Sequence, residues 1–326
     1  MVRHLSRRRV LIASGFALAA PALAHAQSFP SRAIKLVVPY PPGGPVDALA
    51  RIATAEMQAT LGQNVIVENQ PGAAGSIGTR SVARSDPDGH TLIFGTNQTH
   101  CTNAWLVKDA GYDPVRDFVP VAGLADLQHV LVVRKDFAAT SASELVSIAK
   151  ADPGKLNYGS TGLGSGSHLA MELFRARTGT VMQHIPFTGA APMANEIVAG
   201  RIDLAFATLP SVLGLISGGE MRAIGLASGV VAPQLASAKL LRDQGIADAE
   251  ADAWIAVFAP VATPSVAREK LTTALLNALR KPAIVETATK LGFAVNTRDS
   301  AAFTAYQATE MTKWAAVVAA AGLKVQ

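Results

Sequence analysis

The sequence predicts an α/β protein built as two lobes of similar design, on two observations. Short apolar runs alternate with amphipathic helical segments over connections of a few residues, the signature of strands covered by helices. Several strand-to-helix junctions are rich in Gly, Pro, Ser and Thr, and the pattern restarts after Gly123. The 326 residues suffice for two lobes, and 49% hydrophobic against 16% charged residues excludes a disordered or coiled-coil chain.

Ile34–Tyr40 reads as the first strand and ends in Pro41-Pro42-Gly43-Gly44-Pro45. The following helix sets Leu49, Ile52, Ala53, Met57 and Leu61 on one face, and Gly62 stops it. Asn64–Glu68 and Thr91–Gly95 are further strands, giving a β-α-β-α-β start that predicts a parallel sheet. In the second half, strands are expected at Val130–Val133, Leu156–Tyr158, Met182–Phe187, Leu204–Ala207 and Ala223–Ala227. Helices are expected at Ser143–Ala149, His168–Thr178 and beyond Pro192. A strand at Trp254–Ala259 and long helices from Ser265 and Ala301 complete the chain, the helices packing back on one lobe. The division is 27–125 plus about 226–326 for lobe one and about 126–225 for lobe two.

Residues 1–26 read as a signal peptide. Arg3 to Arg9 precede the apolar run Val10–Ala24, and Ala24-His25-Ala26 offers a cleavage site before Gln27. Ser6-Arg7-Arg8-Arg9 leaves twin-arginine and general export both open. The expected location is the periplasm. Four of the 29 Lys and Arg lie in this leader, so 25 face 24 Asp and Glu beyond it, a net of +1. That removes any bulk electrostatic case for nucleic acid. A single cysteine, Cys101, excludes an internal disulfide and a thiolate metal cluster.

Three junctions, Pro41–Asp47, Gly159–His168 and Thr188–Met193, carry the candidate chemistry. Helix N-termini present free N–H groups and partial positive charge, glycines admit close approach, and hydroxyls add donors. None of the three contains Lys or Arg, so the expected ligand is a small organic acid held without a formal cation. The candidate ligand-binding residues are Tyr40, Pro42, Gly43 and Gly44 from the first junction. Ser160, Thr161, Gly164, Ser165 and His168 come from the second, and Thr188 and Gly189 from the third. Asn97 and Thr99, in the polar segment after Gly95, and Thr208, at the end of its strand, join them. Asp47 is expected at the third helical position, complementing the helix N-terminus rather than meeting an anion. His168 either donates to the ligand or caps its loop.

Enzyme signatures are absent. No P-loop, nucleophile elbow or H-E-x-x-H occurs. His168 and Glu172 are read as a surface or helix-end contact rather than metal ligands, and Cys101 beside His100 as packing. No catalytic residue, metal or cofactor is expected.

Phe29-Pro30-Ser31-Arg32, Val38-Pro39-Tyr40-Pro41-Pro42-Gly43-Gly44-Pro45-Val46-Asp47 and Val67-Glu68-Asn69-Gln70-Pro71-Gly72 resemble the opening of the Bug family. These are solute-binding receptors of tripartite tricarboxylate transporters. Pro87-Asp88-Gly89, Tyr112-Asp113-Pro114, Asn157-Tyr158-Gly159-Ser160 and Pro186-Phe187-Thr188-Gly189 follow in the family's order. The resemblance implies a two-lobed periplasmic-binding-protein fold (type II-like) with the cleft between the lobes. It implies a carboxylate ligand held by the first two loops and membrane transporter subunits as partners; the mature chain is expected to be a monomer. Ligand sensing for a membrane signalling system is the alternative, with an exported hydrolase or lyase using His168 or Cys101 behind it. The chain departs from the family at Ser228–Leu240, where a basic residue and a Pro-Thr pair are usual. After Phe206 it lacks the usual acidic or amide residue, which argues against an amino-acid ligand.

Overall fold

The computed structural model describes residues 29–323. The leader at 1–26 lies outside them.

The chain opens with β1 (Ile34–Val38), α1 (Pro45–Leu61) and β2 (Val65–Asn69), then α2 (Ser76–Ala83) and β3 (Thr91–Thr96). β1 pairs in parallel with both β2 and β3, as the opening pattern requires. Pro45 starts α1, where its missing N–H costs nothing, and Gly62 ends it in the left-handed conformation at φ 65°. Asp47 is the third residue of α1. A short helix α3 (Asn103–Leu106) precedes β4 (Phe118–Leu127), and β5 (His129–Arg134) follows after Gln128.

The second half runs α4 (Ala142–Ala151), β6 (Asn157–Ser160), α5 (Gly166–Thr178), β7 (Gln183–Pro186) and α6 (Ala190–Val198). It continues through β8 (Leu204–Thr208), α7 (Leu209–Ser217) and β9 (Met221–Leu226). The chain then returns through β10 (Ala253–Pro260), α8 (Ser265–Arg280), α9 (Pro282–Lys290), β11 (Ala294–Asp299) and α10 (Ser300–Ala320).

Two sheets result, ordered β11-β4-β10-β3-β1-β2 and β7-β6-β8-β5-β9. Both are mixed rather than parallel. β10 runs antiparallel to β3 and β4, and β5 antiparallel to β8 and β9. Strand β4 escapes the sequence pattern because Pro120 and Gly123 read as breakers. Pro120 pairs beside a register shift in β10, where a missing N–H is tolerated. A Cβ on Gly123 would lie 2.4 Å from Phe303, so the glycine is what seats that ring. β4 therefore continues to Leu127, and the second sheet begins with β5 at His129, one residue before the strand expected at Val130–Val133.

Apolar residues of β1, β3 and β10 meet α1 and α8 in one core. A second core holds β5, β8, α6 and α7. The C-terminal helix departs from expectation by touching both halves. It packs on β4 and on α5, and its Trp314, Val317 and Val318 share a core with Leu169 and Met171.

The chain crosses between the sheets at Gln128 and again over 227–252. Polar bonds tie the crossings together. Gln128 Nε2 donates to Ser228 Oγ (2.9 Å) and the Val230 carbonyl (2.8 Å), Ser228 Oγ donates to Asp252 Oδ2 (2.8 Å), and His129 Nδ1 donates to the Ala251 carbonyl (2.6 Å).

Candidate functional site

A cavity of about 730 Å³ lies between the two sheets. From the six-stranded side its wall takes Tyr40–Val46 and, at the end of β3, Thr96, Asn97 and Gln98. From the five-stranded side it takes Thr161, Ser165–Ser167, Thr188–Pro192, Thr208 and Ser211. The crossings add Leu127, His129 and Ala253, and the turn after α9 adds Leu291 and Phe293. No Lys, Arg, Asp or Glu stands on this wall among the described residues. Helices α1, α5, α6 and α7 all begin there, so four N-termini bring partial positive charge to one space.

The structure thus brings Tyr40, Pro42, Gly43, Gly44, Asn97, Thr161, Ser165, Thr188, Gly189 and Thr208 together on the wall. It places Thr99, Ser160, Gly164 and His168 behind it. Thr99 is fully buried, its Oγ1 accepting the Thr96 N–H and meeting His100 Nδ1. Ser160 Oγ bonds His184 Nε2 at 2.6 Å. Gly164 backs onto Leu106, which a Cβ would approach to 2.9 Å, and its φ of 70° favours glycine independently.

His168 caps its own loop. Its Nδ1 accepts the Gly164 N–H at 3.1 Å, and its ring stacks on His184 with centroids 4.0 Å apart. Burial, and then the neighbouring His184, push it down to about 4, so the ring is neutral and Nδ1 keeps its lone pair at pH 7. Glu172 is buried rather than at the surface. It accepts from Tyr158 and from Arg175 Nη1 (2.6 Å) and lies 3.8 Å from His168 Nε2.

Hydroxyls organise the second loop. Ser165 caps α5, its Oγ accepting the His168 N–H at 3.3 Å. Ser167 Oγ accepts the Thr161 N–H at 2.9 Å and contacts both Thr161 Oγ1 and Ser165 Oγ. Ser165→Ala removes the cap and is expected to cost about 1 kcal/mol, lowering the melting temperature by roughly 2–4 °C in a thermal denaturation. An unchanged melt would show that the cap carries no weight.

In the first loop, Asp47 turns away from the cavity. It accepts the Gly43 N–H (3.0 Å), both arms of Arg51 (2.9 and 3.0 Å) and Asn69 Nδ2 (3.0 Å). Burial works against the carboxylate, but Arg51, Gly43 and Asn69 outweigh it and hold Asp47 below its usual range. The Tyr40 hydroxyl meets Thr96 Oγ1 at 2.7 Å and donates to Gln98 Oε1 at 3.2 Å, and burial keeps the phenol protonated.

The sequence reading missed other wall residues, among them Gly166, Ser211, Ser167 and His129. Ser167 sat unremarked inside a run of Ser and Gly. His129 opens an apolar strand, and its place on the wall comes from antiparallel pairing with Thr208, a partner 79 residues away that no local pattern reveals. The remaining nucleophile candidate is closed off. Cys101 is fully buried with its thiol pushed up by burial, and the His100 ring stacks on Phe258 at 3.8 Å.

Two α/β halves, joined by paired crossings around one cavity, define a two-lobed solute-binding protein. A family model described as "Tripartite tricarboxylate transporter family receptor" matches residues 49–323, and the chain belongs to that family. It is 32% identical to the protein BugT of Bordetella pertussis over 327 residues, covering 100% of this chain and 99% of BugT. A structure of R. palustris Rpa4515 with adipate matches with a TM-score of 0.87 at 32% identity, over 91% of this chain and 100% of that one. A structure of MatC (Rpa3494) from Rhodopseudomonas palustris with bound malate gives 0.82 at 32% identity, over 89% and 100%.

Proposed function

We propose that the protein is a periplasmic receptor that captures a small carboxylate between its lobes and presents it to a tripartite transporter. The observation that carries this is a cavity ringed by four helix N-termini and many hydroxyls, with no Lys, Arg, Asp or Glu on its wall among the described residues. Such a wall suits an anion recognised through N–H and O–H groups, because each oriented donor stabilises negative charge without a paired cation. Adipate and malate in the two similar structures support the same ligand class.

The leader ends at Ala26 and the mature chain begins at Gln27. Lobe one comprises 27–125 and about 226–326, and lobe two about 126–225. The mature chain acts as a monomer. It performs no catalysis: the ligand stabilises the closed arrangement over the open one, and the transporter reads that difference. The wall residues gathered above bind the ligand, while Thr99, Ser160, Gly164 and His168 hold the loops that do so.

The test is a thermal-shift screen against mono-, di- and tricarboxylates, aromatic acids and acidic amino acids. A ligand at roughly 100 times its dissociation constant should add about 2.7 kcal/mol of stability. A shift for one carboxylate class is expected. Flat melts across the panel, on protein first unfolded and refolded to strip carried-over ligand, would overturn the reading.

A further inference from the structure

We infer that the ligand is a 2-hydroxycarboxylate, its hydroxyl recognised by Asn97 and His129 beside a carboxylate seated at the start of α5. The inference rests on the receptor reading above and narrows it.

The argument begins at Gly166, the first residue of α5. A Cβ there would lie 3.0 Å from His129 Cε1, 3.4 Å from its Nε2 and 3.6 Å from Asn97 Nδ2. All three residues stand on the cavity wall, so the imidazole and the amide converge on the cavity beside the first turn of α5. Asn97 is 2% exposed, and its Nδ2 is buried with no partner among the described residues. A buried donor left unpaired costs stability, so Nδ2 is a donor awaiting a ligand acceptor.

His129 is the complementary half. It is 1% exposed. Its Nδ1 lies 2.6 Å from the Ala251 carbonyl oxygen, which can only accept, so the ring hydrogen sits on Nδ1. Burial, against the opposing pull of that carbonyl, pushes the ring down to about 4. At pH 7 Nε2 is therefore a lone pair, open to a hydrogen from a ligand in the cavity.

A carboxylate brings only acceptors, so set against Nε2 it would oppose lone pair to lone pair. An ammonium brings hydrogens but cannot accept from Asn97. A hydroxyl does both at once, accepting from Nδ2 and donating to Nε2. Carried on the carbon next to the carboxylate, it falls beside the α5 N–H groups, which take the carboxylate oxygens.

The test is calorimetry at pH 7.5 with acids differing only in that hydroxyl: malate and succinate, lactate and propionate, mandelate and phenylacetate. In a pair that binds, the hydroxy acid is expected to bind at least about 10-fold tighter, because without the hydroxyl Asn97 Nδ2 stays buried and unpaired and the Nε2 lone pair of His129 meets no hydrogen. His129→Phe should shrink that ratio to about 2-fold or less, and His129→Gln, which keeps an acceptor, should restore part of it, with melting curves confirming that both variants fold. Equal affinities within the pairs would overturn the inference, as would a ratio that survives His129→Phe. Binding only of carboxylates without a 2-hydroxyl would overturn it while leaving the receptor reading intact. Failure of every carboxylate to bind would overturn both.

Discussion

Gly166→Leu is expected to weaken carboxylate binding by at least roughly 100-fold while leaving the fold in place, as read by calorimetry beside a thermal melt. The new side chain would press on His129 and Asn97 at the cavity wall, its Cβ already 3.0 Å from the imidazole. It would cover the first N–H groups of α5, where the 2-hydroxycarboxylate inference seats the ligand carboxylate. Two charge-assisted bonds lost at about 1.5–3 kcal/mol each give a loss of that size. Stability should hold because Gly166 has ordinary helical backbone and leucine is the better helix former by most of about 1 kcal/mol, which offsets the crowding of His129. A variant that still binds would move the anion seat away from α5, toward the N-termini of α1 or α6. A variant that fails to fold is distinguished at once by its melt.

How much of this site could be read without coordinates depends on the range of the contacts involved. The β1–α1 junction was legible because its chemistry is local: Pro at N1, Asp47 at N3 and Gly62 at the end follow from rules spanning a few residues. The α5 junction was legible for the same reason, although its helix starts at Gly166, with Ser165 as cap, two residues before the position expected from the sequence. The role of His168 was not legible. Facing the ligand and facing the core differ only by a side-chain rotation, and the stacking partner that decides it, His184, comes from β7. His129 lay further out of reach, since its exposure to the cavity requires the antiparallel register of β5 with β8 and the Ala251 carbonyl from the second crossing. Strand β11 was missed because Ala294–Asp299 is a half-exposed edge strand without alternation, paired in the sheet with β4 alone.

The second crossing holds a carboxylate that burial disfavours, and Asp252→Asn is expected to stabilise the protein increasingly as pH rises. Asp252 Oδ2 accepts from Ser228 Oγ at 2.8 Å, but Oδ1 is buried with no partner among the described residues. Burial raises its pKa from 3.8 to about 7. The Ser228 bond and Lys313 oppose that rise, Asp126 adds to it, and the His129 backbone N–H gives a small counterweight. Arg298 bonds Asp126 at 3.1 Å and is committed there rather than to Asp252. Because the folded state holds this proton up to higher pH than the unfolded chain, unfolding releases it between pH 4 and 7, and stability falls as pH climbs through that window. At about 1.36 kcal/mol per pKa unit, the ionised side chain costs roughly 2–4 kcal/mol above pH 8. Asparagine keeps an acceptor for Ser228 and has no proton to lose. The variant should therefore match the native protein within about 1 kcal/mol at pH 4.5 and exceed it by roughly 2–4 kcal/mol at pH 8.5, as measured by urea denaturation. His100, His129 and His168, all depressed by burial, weaken both proteins at acid pH and cancel in the difference. A difference that stays constant from pH 4.5 to 8.5 would show that Asp252 ionises at the second crossing without strain, with water or a shifted side chain supplying what Oδ1 lacks.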